Sequence, residues 1–176
     1  ADLASAAACA GLCGEVRRRW TDLDLLVNNA SLYEPKPFQD IGTADWDRML
    51  AVNLRAPFLL ARDLLPLLRG GDGGLVVQLC DIGADRPFTG YTHYSVSKAG
   101  AVMLVKSMAV ELGPQVRAVG ISPGHVAWPP AYDQATKDRM LRRIPAGRVG
   151  EPVVCIRAWH MRRVSGARIS PCLTAL

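Results

Sequence analysis

Three short apolar runs set the frame for this chain. Residues 25–27 (LLV) run into Asn28 and Asn29, residues 75–79 (LVVQL) run into Cys80 and Asp81, and residues 116–121 (VRAVGI) run into Ser122, Pro123 and Gly124. Each is of strand length, and stretches of helical character separate them. Strands that alternate with helices pair in parallel, because each crossover helix returns the chain to the same end of the sheet. All three runs then finish at one edge, where the polar or special residues that end them collect. In open parallel sheets ligands bind at that edge. The pattern predicts an α/β domain, and it locates the site before any motif is considered.

The stretches between are consistent with this. Residues 4–20 are alanine-rich and read as a helix, with Val16 and Trp20 one turn apart. SLYEPKPFQDIG holds two prolines and reads as a loop. Thr43 can cap a helix over residues 44–69, with Asp45 and Asp47 in the first turn and an apolar stripe at Leu50, Leu54, Phe58 and Leu65. Pro57 removes a backbone donor and predicts a bend there. The glycine run at residues 70–74 follows a helix and precedes a strand, so it is a turn and not a phosphate cradle. A long helix then carries Tyr94 and Lys98 on through Leu104, Met108 and Leu112. Residues 134–143 read as a short amphipathic helix, 153–161 as a further helix and 167–172 as a last strand. No repeat, linker or low-complexity tract intervenes, so residues 1–176 are read as one domain.

Composition narrows the function classes. No apolar run approaches the roughly 18 residues that span a bilayer. The opening ADLASAAACAGLCGEV lacks the basic start and apolar core of a signal peptide, so a cytoplasmic location is expected. The formal net charge of +5 is scattered, apart from short arginine runs at 17–19 and 162–163. With no recognised nucleic-acid module beside it, that charge fits an anionic cofactor better than nucleic acid or membrane. The five cysteines form no CxxC pair, and the three histidines are dispersed, so neither a disulfide framework nor a metal site is expected.

The chemistry lies between Asp81 and Lys98. Tyr94 and Lys98 are four apart and share a helix face. A phenol is a poor acid at neutral pH, and a nearby ammonium is expected to lower its pKa and fit it for proton transfer. By itself the YxxxK spacing also fits a surface pair. The context is more specific: LVNNAS after one strand, VNLRAPF in the following helix, YSVSK opening a helix after the next strand, and ISPGHV after the third. In this order the segments resemble the short-chain dehydrogenase/reductase family from Asp2 to about Pro152. The resemblance implies a Rossmann-like doubly wound parallel sheet and a nicotinamide cofactor. It implies that Tyr94 and Lys98 are the catalytic pair and that Asn53 holds a water chain leading to the lysine. Asn29, Ala30 and Ser31 would shape the cofactor cleft, and Pro123, Gly124 and Val126 would lie beside the nicotinamide. Asp2 and Leu3 look like the segment that contacts adenine. The family's first strand, glycine-rich turn and helix have no counterpart here, so the sheet is expected to lack its first βαβ portion and to expose an edge. The tail after GRVGEP departs from the family pattern.

Most members have serine at the Asp81 position. An aspartate there, with Ser31 and an aromatic at Tyr33, resembles the pteridine reductase branch. That implies NADPH as cofactor, a dihydropterin or dihydrofolate-type substrate, and a homotetramer built on the faces of helices 44–69 and 92–112. Asp81 would exchange a proton with Tyr94, Tyr33 would stack on the pterin, and Trp128 would line its pocket. The plain alternatives are that Asp81 caps a turn, Tyr33 is an exposed loop aromatic, and Trp128 packs its own loop. The competing functions are a generic carbonyl reductase and a catalytically dead paralogue that acts only in subunit assembly.

Overall fold

Four parallel strands pair in the order β1-β2-β3-β4, namely β1 (Leu25–Asn28), β2 (Gly74–Leu79), β3 (Val116–Ser122) and β4 (Cys172–Thr174). The computed structural model describes residues 1–128, 132–151 and 172–174. The helix expected over 153–161 and most of the strand expected over 167–172 lie outside them. The helices are α1 (Ala6–Arg19), α2 (Thr43–Leu50), α3 (Ala56–Leu68), α4 (Thr92–Leu112) and α5 (Gln134–Leu141). Leu26 sits beside Val76, and Val76 beside Ala118, so the apolar runs are in register across the sheet. The fold is α/β, as the runs predicted, and Rossmann-like, as the resemblance implied.

The sheet is apolar on both faces, as a parallel sheet requires. On one face Leu26, Val76 and Ala118 meet α1, α3 and α4 through Cys9, Cys13, Leu64, Leu68, Val105 and Met108. On the other face Leu75, Val77, Val119 and Ile121 form a smaller cluster with Leu25 and Leu79. Cys9 and Cys13 are wholly buried on one face of α1, as small core residues.

Among the described strands β1 lies at the edge of the sheet, as expected, and Val27 is 48% exposed. Two local expectations need correction. Gly42, and not Thr43, is the N-cap of α2, because the Asp45 carboxylate reaches back to accept the Gly42 N–H at 2.9 Å. The long helix over 44–69 is divided by a π turn at Ala51–Arg55, where the Ala56 N–H bonds back to Ala51 O. Pro57 sits in the first turn of α3. With no N–H to offer, it falls where the wider turn has already let the regular ladder lapse. The expected bend is thus a widened turn just ahead of the proline. The glycine run is a turn as expected. Gly71 and Gly73 both have positive φ, and a Cβ on Gly73 would lie 2.5 Å from Gln115 O.

Candidate active site

The buried face of α4 is polar where it should be apolar. His93, Tyr94, Ser95, Ser97 and Lys98 are all buried in its first two turns, while Ala101, Val105 and Met108 take over further along. Buried polar side chains at a strand-end edge mark the working end of the fold.

Tyr94 Oη donates to Asp81 Oδ2 at 2.8 Å. The other oxygen, Oδ1, accepts the Gly83 N–H at 2.6 Å, so Asp81 also caps the short 3-10 turn Ile82–Ala84. Asp81 therefore caps the turn with one oxygen and meets Tyr94 with the other. Gly83 is tightly enclosed: a Cβ there would meet Phe88 at 2.8 Å and Asp81 Oδ1 at 2.9 Å. Burial pushes the Tyr94 phenol well above its ordinary value, and the Asp81 charge and hydrogen bond push it further. This corrects the expectation that Lys98 lowers it. The Tyr94 proton is held against a carboxylate in a desolvated site.

Lys98 is buried, and its Nζ donates to Leu79 O at 2.9 Å while lying 5.7 Å from the Tyr94 ring centroid. Burial lowers its pKa, and the nearby Asp81 opposes that shift. Gln78 Nε2 donates to the same Leu79 carbonyl at 3.3 Å. Gln78 lies in register with Asn28 on the neighbouring strand. Both carboxamides are buried, and among the described residues Gln78 Oε1 and Asn28 Nδ2 have no hydrogen-bond partner.

Asn53 lies in the π turn and clamps the loop after β1. Its Oδ1 accepts the Leu32 N–H at 2.7 Å, and its Nδ2 donates to Leu32 O and to Ser97 Oγ, each at 3.0 Å. Ser97 Oγ passes the link on to Tyr94 O at 2.7 Å. The expected water-binding amide is thus engaged by backbone. Ser97 was not foreseen, although a serine inside a helix that bonds back three residues is a known signal.

Tyr33 stands over the pair. Its ring stacks on Tyr91 at 4.5 Å and meets Tyr94 edge-on at 4.8 Å. One face is therefore taken by Tyr91, which sequence reasoning also missed; the residue remains 47% exposed. The other predicted residues divide. Leu3, Asn29 and Ala30 line a pocket of about 50 Å³ beside Asn28. Asp2 is exposed and accepts the Ala4 N–H at 2.9 Å. Ser31 is exposed, its hydroxyl donating to Leu32 O at 3.3 Å. Pro123, Gly124 and Val126 are half-buried at the end of β3, where Gly150 returns to donate its N–H to His125 O at 2.8 Å. Trp128 packs on His125 and Tyr132, and among the described residues no ring contact joins it to Tyr33 or Tyr94. Among the described residues no cluster of His, Cys, Asp and Glu could hold a metal ion, and no helix is long and apolar enough to cross a membrane.

Known proteins resemble this chain in sequence and fold. A family model for short chain dehydrogenase matches residues 1–139. An uncharacterized short-chain type dehydrogenase/reductase of Sinorhizobium fredii is 31% identical over 156 residues, covering 85% of this chain and 62% of the relative. A 7alpha-hydroxysteroid dehydrogenase of Escherichia coli is 34% identical over 134 residues, 74% of this chain and 52% of the relative. The chain thus spans between half and two thirds of the length of these relatives. Among solved structures, a short-chain dehydrogenase/reductase mutant of Serratia marcescens superposes with a TM-score of 0.86 at 29% identity, covering 99% of this chain and 73% of that one. The match of sequence and fold over most of its length makes this chain a member of the short-chain dehydrogenase/reductase family.

Proposed function

We propose that this chain carries the proton-handling part of an NADPH-dependent pteridine reductase. The observation that supports it most is the 2.8 Å hydrogen bond from Tyr94 to Asp81. The residues fit a nicotinamide cofactor: the buried ammonium of Lys98 and the Asn28 Nδ2 group, which has no partner among the described residues, are donors at the carboxyl ends of the strands, where such groups bind. Lys98 would hold the nicotinamide ribose, Asp2 and Leu3 the adenine end, and Asn29, Ala30, Ser31, Pro123, Gly124 and Val126 the cleft between. The preference for NADP over NAD rests on family resemblance. When bound, the cofactor supplies a hydride.

A ring C=N bond that is reduced must also gain a proton at nitrogen. Tyr94 delivers it: its hydroxyl is protonated at neutral pH and stands at the strand-end edge, hydrogen-bonded to Asp81 at 2.8 Å. Asp81 Oδ2 orients that proton, and its remaining lone pair can accept a bond from a pterin N–H. Oδ1 is fixed by Gly83, so the carboxylate cannot swing away. Tyr33, backed by Tyr91, offers its other face to a flat heterocycle. Asn53 and Ser97 act as positioning residues, tying the Tyr33 loop to the Tyr94 helix. Trp128 holds the wall formed by the loop after β3. The single-domain, cytoplasmic and homotetrameric readings belong to the same proposal. Val96, Met103 and Val110, seven apart on the outside of α4, and Phe58 on α3 are large exposed apolar groups suited to self-association.

A second reading, a carbonyl reductase, is favoured by the likeness to a 7alpha-hydroxysteroid dehydrogenase. NADPH consumption with a dihydropterin and with a ketone panel separates the two. Asp81→Ser is expected to lose pterin turnover, and ketone turnover to persist or rise. Equal pterin turnover by parent and Asp81→Ser would reject the role given to the acid.

A further inference from the structure

Gln78 is a polar residue where the sheet would be expected to hold an apolar one. It is flanked by Asn28 on β1 and Gly120 on β3. It is 1% exposed, on the same face that Val76, two residues earlier, packs against the helices. Among the described residues its Oε1 has no donor. A buried acceptor left without a partner lowers stability, and an apolar side chain of similar size would avoid that loss. Packing therefore does not account for the carboxamide. Its hydrogen bond does: Nε2 donates to Leu79 O at 3.3 Å. Turning the amide over would set Oε1 against that carbonyl, acceptor against acceptor, so the nitrogen must be the atom that faces it.

Leu79 O is also the acceptor of the buried Lys98 ammonium, at 2.9 Å. This carbonyl is open to side chains because of where β1 stops. The Leu75 N–H donates to Asp24 O at 2.9 Å, so the odd-numbered residues of β2 direct their backbone groups toward β1. The β1–β2 pairs end at Asn28 beside Gln78, one residue short of Leu79. The Leu79 carbonyl thus projects past the ladder, with two lone pairs and two side-chain donors. A carbonyl oxygen prefers its donors along two directions in its plane. Gln78, anchored in the strand, takes one of them, and Lys98 reaches the other from α4. The ammonium keeps two further N–H groups, and the lone pair that Nζ takes decides where they point.

We infer that Gln78 is a positioning residue for Lys98: by occupying one lone pair of Leu79 O it confines the ammonium to the other, and so fixes the direction in which the remaining N–H groups meet a ligand. The inference rests on the functional reading above only for that ligand, the nicotinamide ribose. The test is Gln78→Met, which keeps the length of the side chain and removes both polar atoms. The first readout is carbon-13 relaxation of the Lys98 ε-methylene in the 176-residue chain without cofactor, with Lys98→Met assigning the signal among the four lysines. The parent should show one ordered position, and the order parameter should drop in Gln78→Met as Nζ samples both lone pairs. The methyl groups of Val105, in the same core, should keep theirs. Stability to urea should be unchanged or higher, because the unpartnered Oε1 is gone. NADPH affinity, followed by fluorescence, should weaken about two- to tenfold, the worth of one hydrogen bond. Unchanged Lys98 order in Gln78→Met overturns the inference. So does a loss of order shared by Val105 together with a fall in stability, since Gln78 would then be a packing residue. If NADPH affinity is unchanged, or if the parent binds none, the ribose reading of Lys98 fails, while the order of Lys98 still decides the role of Gln78.

Discussion

Replacing Asp81 by Asn tests the electrostatic core of the site with the least disturbance of shape. The amide oxygen can keep the Gly83 N–H that Oδ1 now accepts at 2.6 Å. That choice turns the amide nitrogen toward Tyr94, so the bond that Tyr94 now donates at 2.8 Å must reverse. The phenol loses both the charge and the hydrogen bond that, after burial, raise its pKa. A hydrogen bond to a charged group is worth about 1.5–3 kcal/mol, and one pH unit corresponds to about 1.4 kcal/mol. Asp81 is half-buried, so solvent screening favours the lower end. The Tyr94 titration should therefore fall by about 1 pH unit. It should stay above the ordinary phenol value of 10.0, because burial, the largest cause, remains. Carbon-13 NMR of ζ-labelled tyrosine across alkaline pH reads this directly, with Tyr94→Phe assigning the signal among the four tyrosines. Pterin turnover should fall by about 100-fold or more, the usual effect of a misdirected general acid. A Tyr94 titration that stays put or moves upward in Asp81→Asn would refute the reasoning, because it would mean that the carboxylate has no hold on the phenol.

Two further outcomes follow from packing and linkage. Gly83→Ala places a methyl 2.8 Å from Phe88 and 2.9 Å from Asp81 Oδ1, so something must give; we expect about 1–3 kcal/mol of destabilisation by chemical denaturation and a loss of turnover close to that of Asp81→Asn. Lys98 has a folded pKa below its ordinary 10.5, so the folded state binds its proton less readily than the unfolded chain does. Its penalty is in full force below the folded pKa and is relieved as pH rises toward 10.5. Lys98→Met should remove turnover, raise stability at neutral pH and flatten the rise in stability across that alkaline window; a steeper rise in the variant would contradict the sign.

The sheet and its working edge were legible in the sequence because period and punctuation encode them. Each apolar run of strand length ended in residues that a parallel strand interior would reject, and those ends converged. The Asp81–Tyr94 meeting followed from the same logic, one residue ending β2 and the other opening α4. Direction of charge was not legible. Tyr94 and Lys98 are four apart in any helix, but how deeply the phenol is buried is a tertiary fact, and burial turned the pKa upward. The contacts of Lys98 with Leu79 O and of Asn53 with Leu32 were hidden for a related reason: backbone groups are anonymous in a sequence. Tyr91 escaped notice because nothing in GYTHY distinguishes a ring that stacks on Tyr33 from one that faces water.

The π turn at Ala51–Arg55 makes the helix sensitive to counting as well as to composition. An α-helix winds by about 100° per residue, so deleting one position here could restore regular winding while swinging everything before it around the axis by that angle. Met49, buried now, would rotate away from its seat, and the residue facing Leu32 would no longer be the asparagine. A single-codon deletion in this stretch should thus be far more harmful than one at the exposed residues 71–73, even though no buried side chain need be lost in either case.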